Sequence, residues 1–104
     1  MQFVMIAEHT PQFCPTANGK IREMMKQGMK EIPAVAKRLG MEIVNLRVFG
    51  GDHIVLAIVE APDIEKVRNF MMESKLIQWN TIKVYPTWSL EEAMERADKL
   101  PPIF

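Results

Sequence analysis

His9 and Cys14 stand five residues apart in "IAEHTPQFCPT", and a second histidine, His53, lies at the head of the strongly apolar stretch "DHIVLAIVE". The chain of 104 residues holds only two histidines and one cysteine, so these are the side chains whose types could do chemistry. Two imidazoles and a thiol are borderline-soft donors suited to zinc, copper or iron. Three protein ligands with one open position form the pattern of a reactive centre rather than a closed structural one. With an ordinary pKa of about 6.5, either His9 or His53 also suits the role of general base. Which chemistry is available depends on the elements that carry them.

Residues 2 to 8 are β-prone, short and uniformly apolar, which predicts a strand buried on both faces. After the loop holding Pro11 and Pro15, apolar positions Ile21, Met25, Met29, Ile32 and Leu39 recur at helical spacing. They predict a helix from about residue 17 to Leu39, with Gly40 as a left-handed stop and Pro33 kinking or breaking it near Ile32. Met41 to Phe49 alternates, with Ile43, Asn45, Arg47 and Phe49 on one side and Glu42, Val44, Leu46 and Val48 on the other, as in a strand with one better-buried face. Gly50 and Gly51 then predict a hairpin, and Asp52 to Glu60 a central strand. Pro62 and Asp63 open a second helix with the stripe Ile64, Val67, Phe70 and Met71, ending near Ser74 or Lys75. Thr81 to Tyr85 reads as a fourth strand closed by Pro86. Ser89 with Glu92 starts a last helix that Pro101 and Pro102 stop.

This order predicts one domain spanning residues 1 to 104 of the α+β class. It is a ferredoxin-like βαββαβ sandwich with an antiparallel 4-1-3-2 sheet and an extra C-terminal helix. Strands one and three are apolar on both sides, so the second sheet face needs cover, and a second copy of the chain would provide it. A homodimer, or a larger assembly of dimers, is therefore expected. The length, element order, doubly apolar strands and extra helix resemble the dimeric α+β barrel superfamily over nearly the whole chain. The motifs "EHTPQFCPT", "DHIV" and "QWN" are similar to those of a group of small uncharacterised bacterial and archaeal proteins within it. The resemblance implies a dimeric α+β barrel, in a superfamily that includes small monooxygenases, haem-degrading and dechlorinating enzymes, muconolactone isomerases and stress-response proteins. It brings no catalytic residue to this chain, since fold analogy does not set chemistry.

The topology bears directly on the histidines. Strand one should lie between strands three and four and run antiparallel to both, so His9, His53 and the pair Trp79 and Asn80 belong to one end of the sheet. Pairing 9 with 53 places 7 opposite 55, 5 opposite 57 and 3 opposite 59, and puts both imidazoles on one face. Cys14 is close enough in sequence to fold back on His9. The expected metal ligands are thus His9, Cys14 and His53, with His9 and His53 also the candidate catalytic bases. Trp79 is expected to wall the pocket and Asn80 to hydrogen-bond a ligand or water. Glu8 and Asp52 lie at the same end and could complete the shell, whereas Glu60 belongs at the opposite end.

The overall composition narrows the partners. Thirteen basic against 13 acidic residues give no electrostatic attraction for nucleic acid or an anionic membrane. The longest apolar run, Ile54 to Val59, is far short of a membrane span, and the opening "MQFVMIAEH" lacks a signal-peptide pattern, so a cytoplasmic address is expected. Met24, Met25, Met29, Met71 and Met72 fall at helical spacing and read as core and groove filler rather than copper ligands. Tyr85 and Trp88 read as interface aromatics. The chain lacks a phosphate-binding glycine loop, a nucleophile elbow and a basic, aromatic-studded sheet.

Three functions fit these residues. The leading one is a small protein using the His/His/Cys site to bind a transition metal (zinc, copper or iron) or haem for chemistry on, or sensing of, a small molecule. The second is a cofactor-independent isomerase or monooxygenase with a histidine base. The third is a ligand-binding or assembly module without catalysis.

Overall fold

The structure, a computed structural model, describes residues 1–104. Its strands are β1 (Gln2–Glu8), β2 (Glu42–Phe49), β3 (Ile54–Glu60) and β4 (Thr81–Pro86); its helices are α1 (Gly19–Arg38), α2 (Ile64–Glu73) and α3 (Leu90–Asp98). The strands form one antiparallel sheet in the order β2-β3-β1-β4. This is the ferredoxin-like sandwich with an added C-terminal helix.

Each helix starts where a side chain can accept a free first-turn amide. Asn18 caps α1 through Ile21 N, Asp63 caps α2 through Lys66 N, and Ser89 caps α3 through Glu92 N. Gly40 adopts φ +69° beyond α1, the left-handed conformation that stops a helix. Pro33 does not break α1, which runs on to Arg38. The core lies between the helices and one sheet face, where Phe3, Val59 and Val67 are fully buried and Met5, Ala57, Phe70 and Met71 surround them. Burying each such side chain contributes roughly 1.5–3 kcal/mol.

The expected alternation in β2 fails at one point. Ile43 pairs with Val59 and Asn45 with Ile58, leaving Val44 as an extra residue in a bulge. Beyond it, Leu46 and Val48 share the helix-side face with Ile43, through their partners Ala57 and Val55. A bulge shifts the side-chain phase by one, which strict period-two reading cannot detect.

The dimeric α+β barrel is corrected. The sheet is open, with β2 and β4 as unpaired edges that do not meet. The expectation of a homodimer rested on β1 and β3 being apolar on both sides, and it finds no support here, since the open face is mixed across the strands. Val4, Ile6, Ile54, Leu56 and Ile58 on that face are half-buried, and Gln2, Glu8, Asn45, Arg47, Glu60, Thr81 and Lys83 share it with them. Tyr85 and Trp88, read as interface aromatics, are exposed, and Trp88 stacks beneath the Arg96 guanidinium at 4.1 Å. α3 buries no residue, and the radius of gyration of 16.3 Å exceeds the roughly 13 Å of a compact chain this long, because α3 projects from the sandwich. No helix is long and apolar enough to cross a membrane.

Candidate metal centre

The pairing of β1 with β3 continues one step past the strands. Glu8 lies opposite Ile54, and His9 N donates to His53 O at 3.1 Å, so the two histidines face each other as the register predicts. The hairpin is longer than expected: Asp52 and His53 belong to the turn, and β3 begins at Ile54. His53 has φ +56°, a left-handed conformation that costs a non-glycine residue about 1–2 kcal/mol. The His9 and His53 rings meet edge to face, with centroids 5.4 Å apart.

Cys14 comes to the same place through a loop held by its own hydrogen bonds. A single 3-10 turn, Pro11–Phe13, is closed by Phe13 N to Thr10 O and Cys14 N to Pro11 O. The Cys14 carbonyl then accepts from Ala17 N and Asn18 N. Asn18 Nδ2 donates to Gln12 O, while Arg22 Nε donates to Pro15 O and an Arg22 terminal nitrogen to Thr16 O. The loop is thereby fastened to the first turn of α1, and Cys14 is buried with 7% of its surface exposed.

One donor atom each from His9, Cys14 and His53 lies within 4.8 Å of the others, so this cluster could coordinate a metal ion. Bond lengths of about 2.0 Å to nitrogen and 2.3 Å to sulfur put tetrahedral neighbours roughly 3.5 Å apart, a gap that modest side-chain rotation closes. Glu8 does not join: it projects on the open face, opposite Ile54 and Thr81. Neither Asp52 nor Glu60 is in the cluster; Glu60 pairs with the N-terminal amino group at the far end.

Asn80 determines which His9 nitrogen is available. Its Nδ2 donates to Leu76 O at 3.1 Å, which fixes the amide orientation and leaves Oδ1 facing His9 Nδ1 at 3.1 Å. An oxygen there requires Nδ1 to carry the hydrogen, so in the neutral ring Nε2 holds a lone pair. His9 Nε2 is buried and has no hydrogen-bond partner. Trp79 supports the ring from the side, its centroid 5.2 Å from that of His9. Both Trp79 and Asn80 are buried, held by the 3-10 turn Leu76–Gln78 and the left-handed Lys75 before it. With His9 they border a shallow, open depression of about 560 Å³.

The Thr16 hydroxyl donates to Cys14 Sγ at 2.9 Å. That bond, followed by the Thr16 backbone N–H, holds the thiol down to about 6 against the opposing effect of burial. A thiolate is the form that binds metal and attacks electrophiles. Sequence reading did not single out Thr16; a hydroxyl two residues after a cysteine in a proline-bounded turn was the available signal. Asn80, expected to hydrogen-bond a ligand or water, has its oxygen facing His9 Nδ1.

No protein-family model matches the sequence, and neither does any curated protein. Among solved structures, the chain is similar to two de novo designed proteins. Ferredog-Diesel has a TM-score of 0.51 and 15% identity, over 82% of this chain and 83% of that one. Foldit4 has a TM-score of 0.41 and 15% identity, over 85% of this chain and 94% of that one. The first likeness is one of fold alone, and it is to a ferredoxin-like sandwich rather than a barrel.

Proposed function

We propose that this protein binds a single transition-metal ion through His9 Nε2, Cys14 Sγ and a ring nitrogen of His53, with a fourth position open to a small molecule. The observation that carries this reading is the buried lone pair of His9 Nε2, which has no partner while Asn80 holds its ring in place. A buried polar atom left unpaired costs about 1–3 kcal/mol, and a metal bond offsets that cost. Metal-bound histidines characteristically donate their other nitrogen to such an orienting group. Three donors converging on one point favour a bare ion over haem. Zinc fits two nitrogens and a thiolate, and copper and iron follow on the same donors. A thiol ligand requires a reducing compartment, which supports a cytoplasmic setting.

Elemental analysis of untagged protein, together with zinc and cobalt titration, tests this. The expected result is one ion per chain, lost in His53→Ala. No stoichiometric metal and no uptake on titration would refute the proposal. A second reading draws on the same lone pair, which without a metal would make His9 a general base. It predicts chemistry that survives chelation.

A further inference from the structure

On the other side of Trp79 and Asn80, between α1, α2 and the sheet, lies a cavity of about 90 Å³. Its walls include Met24, Met25, Met29, Ile43, Leu46 and Phe70, and no titratable side chain lines it. Its polar side-chain groups are confined to Ser74, Asn80 and the indole N–H of Trp79, and those of Ser74 and Asn80 are already engaged. Ser74 Oγ donates to Met71 O, Asn80 Nδ2 donates to Leu76 O, and Asn80 Oδ1 faces His9 Nδ1. An occupant would therefore find little beyond apolar contact.

Gly28 sits in the middle of α1 on the cavity wall. Its φ is not positive, and a Cβ there would meet nothing closer than Ile32 Cδ1 at 3.7 Å, so no backbone or steric requirement calls for glycine. A helix-interior glycine is destabilising relative to alanine, and what it provides at this position is space. Met29 and Leu46, both largely exposed, stand at the mouth. Flexible methionines let such a wall adapt to its occupant.

We propose that this cavity binds a small, uncharged, hydrocarbon-like molecule, of the size of one aromatic ring or a short branched chain. A closed apolar cavity of about 150 Å³ accepts benzene, and this smaller one is open at one side and walled in part by unbranched methionines, which adapt to irregular shapes. Trp79 and Asn80 are shared by the cavity and the His9 cluster, so such a molecule would lie beside the metal centre. That last step rests on the metal reading, whereas the cavity does not.

The experiment is a toluene titration of the full chain labelled at its methionine methyl groups, followed by NMR, with benzoate as the charged counterpart. It is run on both zinc-treated and EDTA-treated protein. Expected are saturable shifts at Met24, Met25 and Met29 with toluene, none with benzoate, and at least a tenfold loss of affinity in Gly28→Leu. If Gly28→Leu does not fold, Gly28→Ala takes its place, with a severalfold loss expected. The proposal is overturned by the absence of saturable toluene shifts, by equal binding of benzoate, or by undiminished binding in a folded Gly28 variant. Toluene binding in a protein that takes up no zinc leaves the cavity standing and removes the metal. Zinc uptake without toluene binding does the reverse.

Discussion

At one end of the sheet the amino group of Met1 pairs with Glu60 at 3.0 Å, Thr87 donates to Gln2 O, and Arg96 covers Trp88. At the other end the loop from Thr10 to Asn18 is equally well fastened, yet His9 Nε2 is left buried and unpaired beside Cys14 and His53. Both ends hold their side chains in place, but only the second leaves a held donor atom without a partner. Stability alone accounts for the first arrangement. The second carries a cost that folding does not recover, and unrecovered cost of that kind points to function.

The sharpest way to break this comparison is to remove the thiolate. Cys14→Ser should weaken zinc or cobalt binding by more than about a hundredfold, measured by competition with a chelator, and should abolish the sulfur-to-cobalt absorption. Next comes the residue that orients without ligating. Asn80→Ala should weaken binding about 10- to 100-fold, whereas Asn80→Asp, which still accepts from His9 Nδ1, should stay within a few-fold of the parent. Equal losses in the two Asn80 variants would mean that the Nδ2 bond to Leu76 O, which aspartate cannot make, matters as much as the acceptor facing His9.

Proton competition is a gentler probe. The thiol titrates near 6, so metal affinity should be nearly level from about pH 8 to 7 and fall below pH 6, by up to about tenfold per pH unit for the thiol alone. In chelated protein the sign also follows from the lowered value. The folded thiol ionises near 6 against 9.0 for the ordinary one, so its stabilising contribution is complete above pH 9 and disappears as pH falls to 6. The midpoint of thermal unfolding should rise modestly between those limits.

Two smaller effects complete the series. His53→Gly removes the left-handed strain as well as a ligand, so in EDTA it should be up to about 1 kcal/mol more stable than His53→Ala, by urea unfolding. At the opposite end, Glu60→Gln should change stability by no more than about 1 kcal/mol and leave metal affinity unchanged, because its ion pair is substantially exposed.

Much of the fold was legible because its elements carry local signals. Asp63 and Ser89 open apolar stripes, Gly40 ends another, and the pairing of residue 9 with 53 follows from strand order and register. What escaped reading depends on contacts between segments or on single-residue phase changes. Val44 looks like any other β-branched residue, and only its missing partner makes it a bulge. The run of apolar residues in β1 and β3 looked like a demand for a second sheet, because sequence does not reveal that Arg47, Lys83 and Glu60 stand among them across the strands. At the site, the convergence of His9, Cys14 and His53 was legible from type and topology. The function of Asn80 was not, since it depends on a carbonyl at Leu76 that no spacing rule connects to His9.

The bulge in β2 has a consequence for life at high concentration. An open sheet presents two rows of unpaired backbone groups, and a flat edge of that kind recruits strands from neighbouring molecules. Val44 interrupts one edge with a local twist, and at the other edge Lys83 sets a charge along β4 before Pro86 ends it without an amide to donate. The irregularity that spoils the alternation of β2 thus makes that edge a poorer template for strand addition.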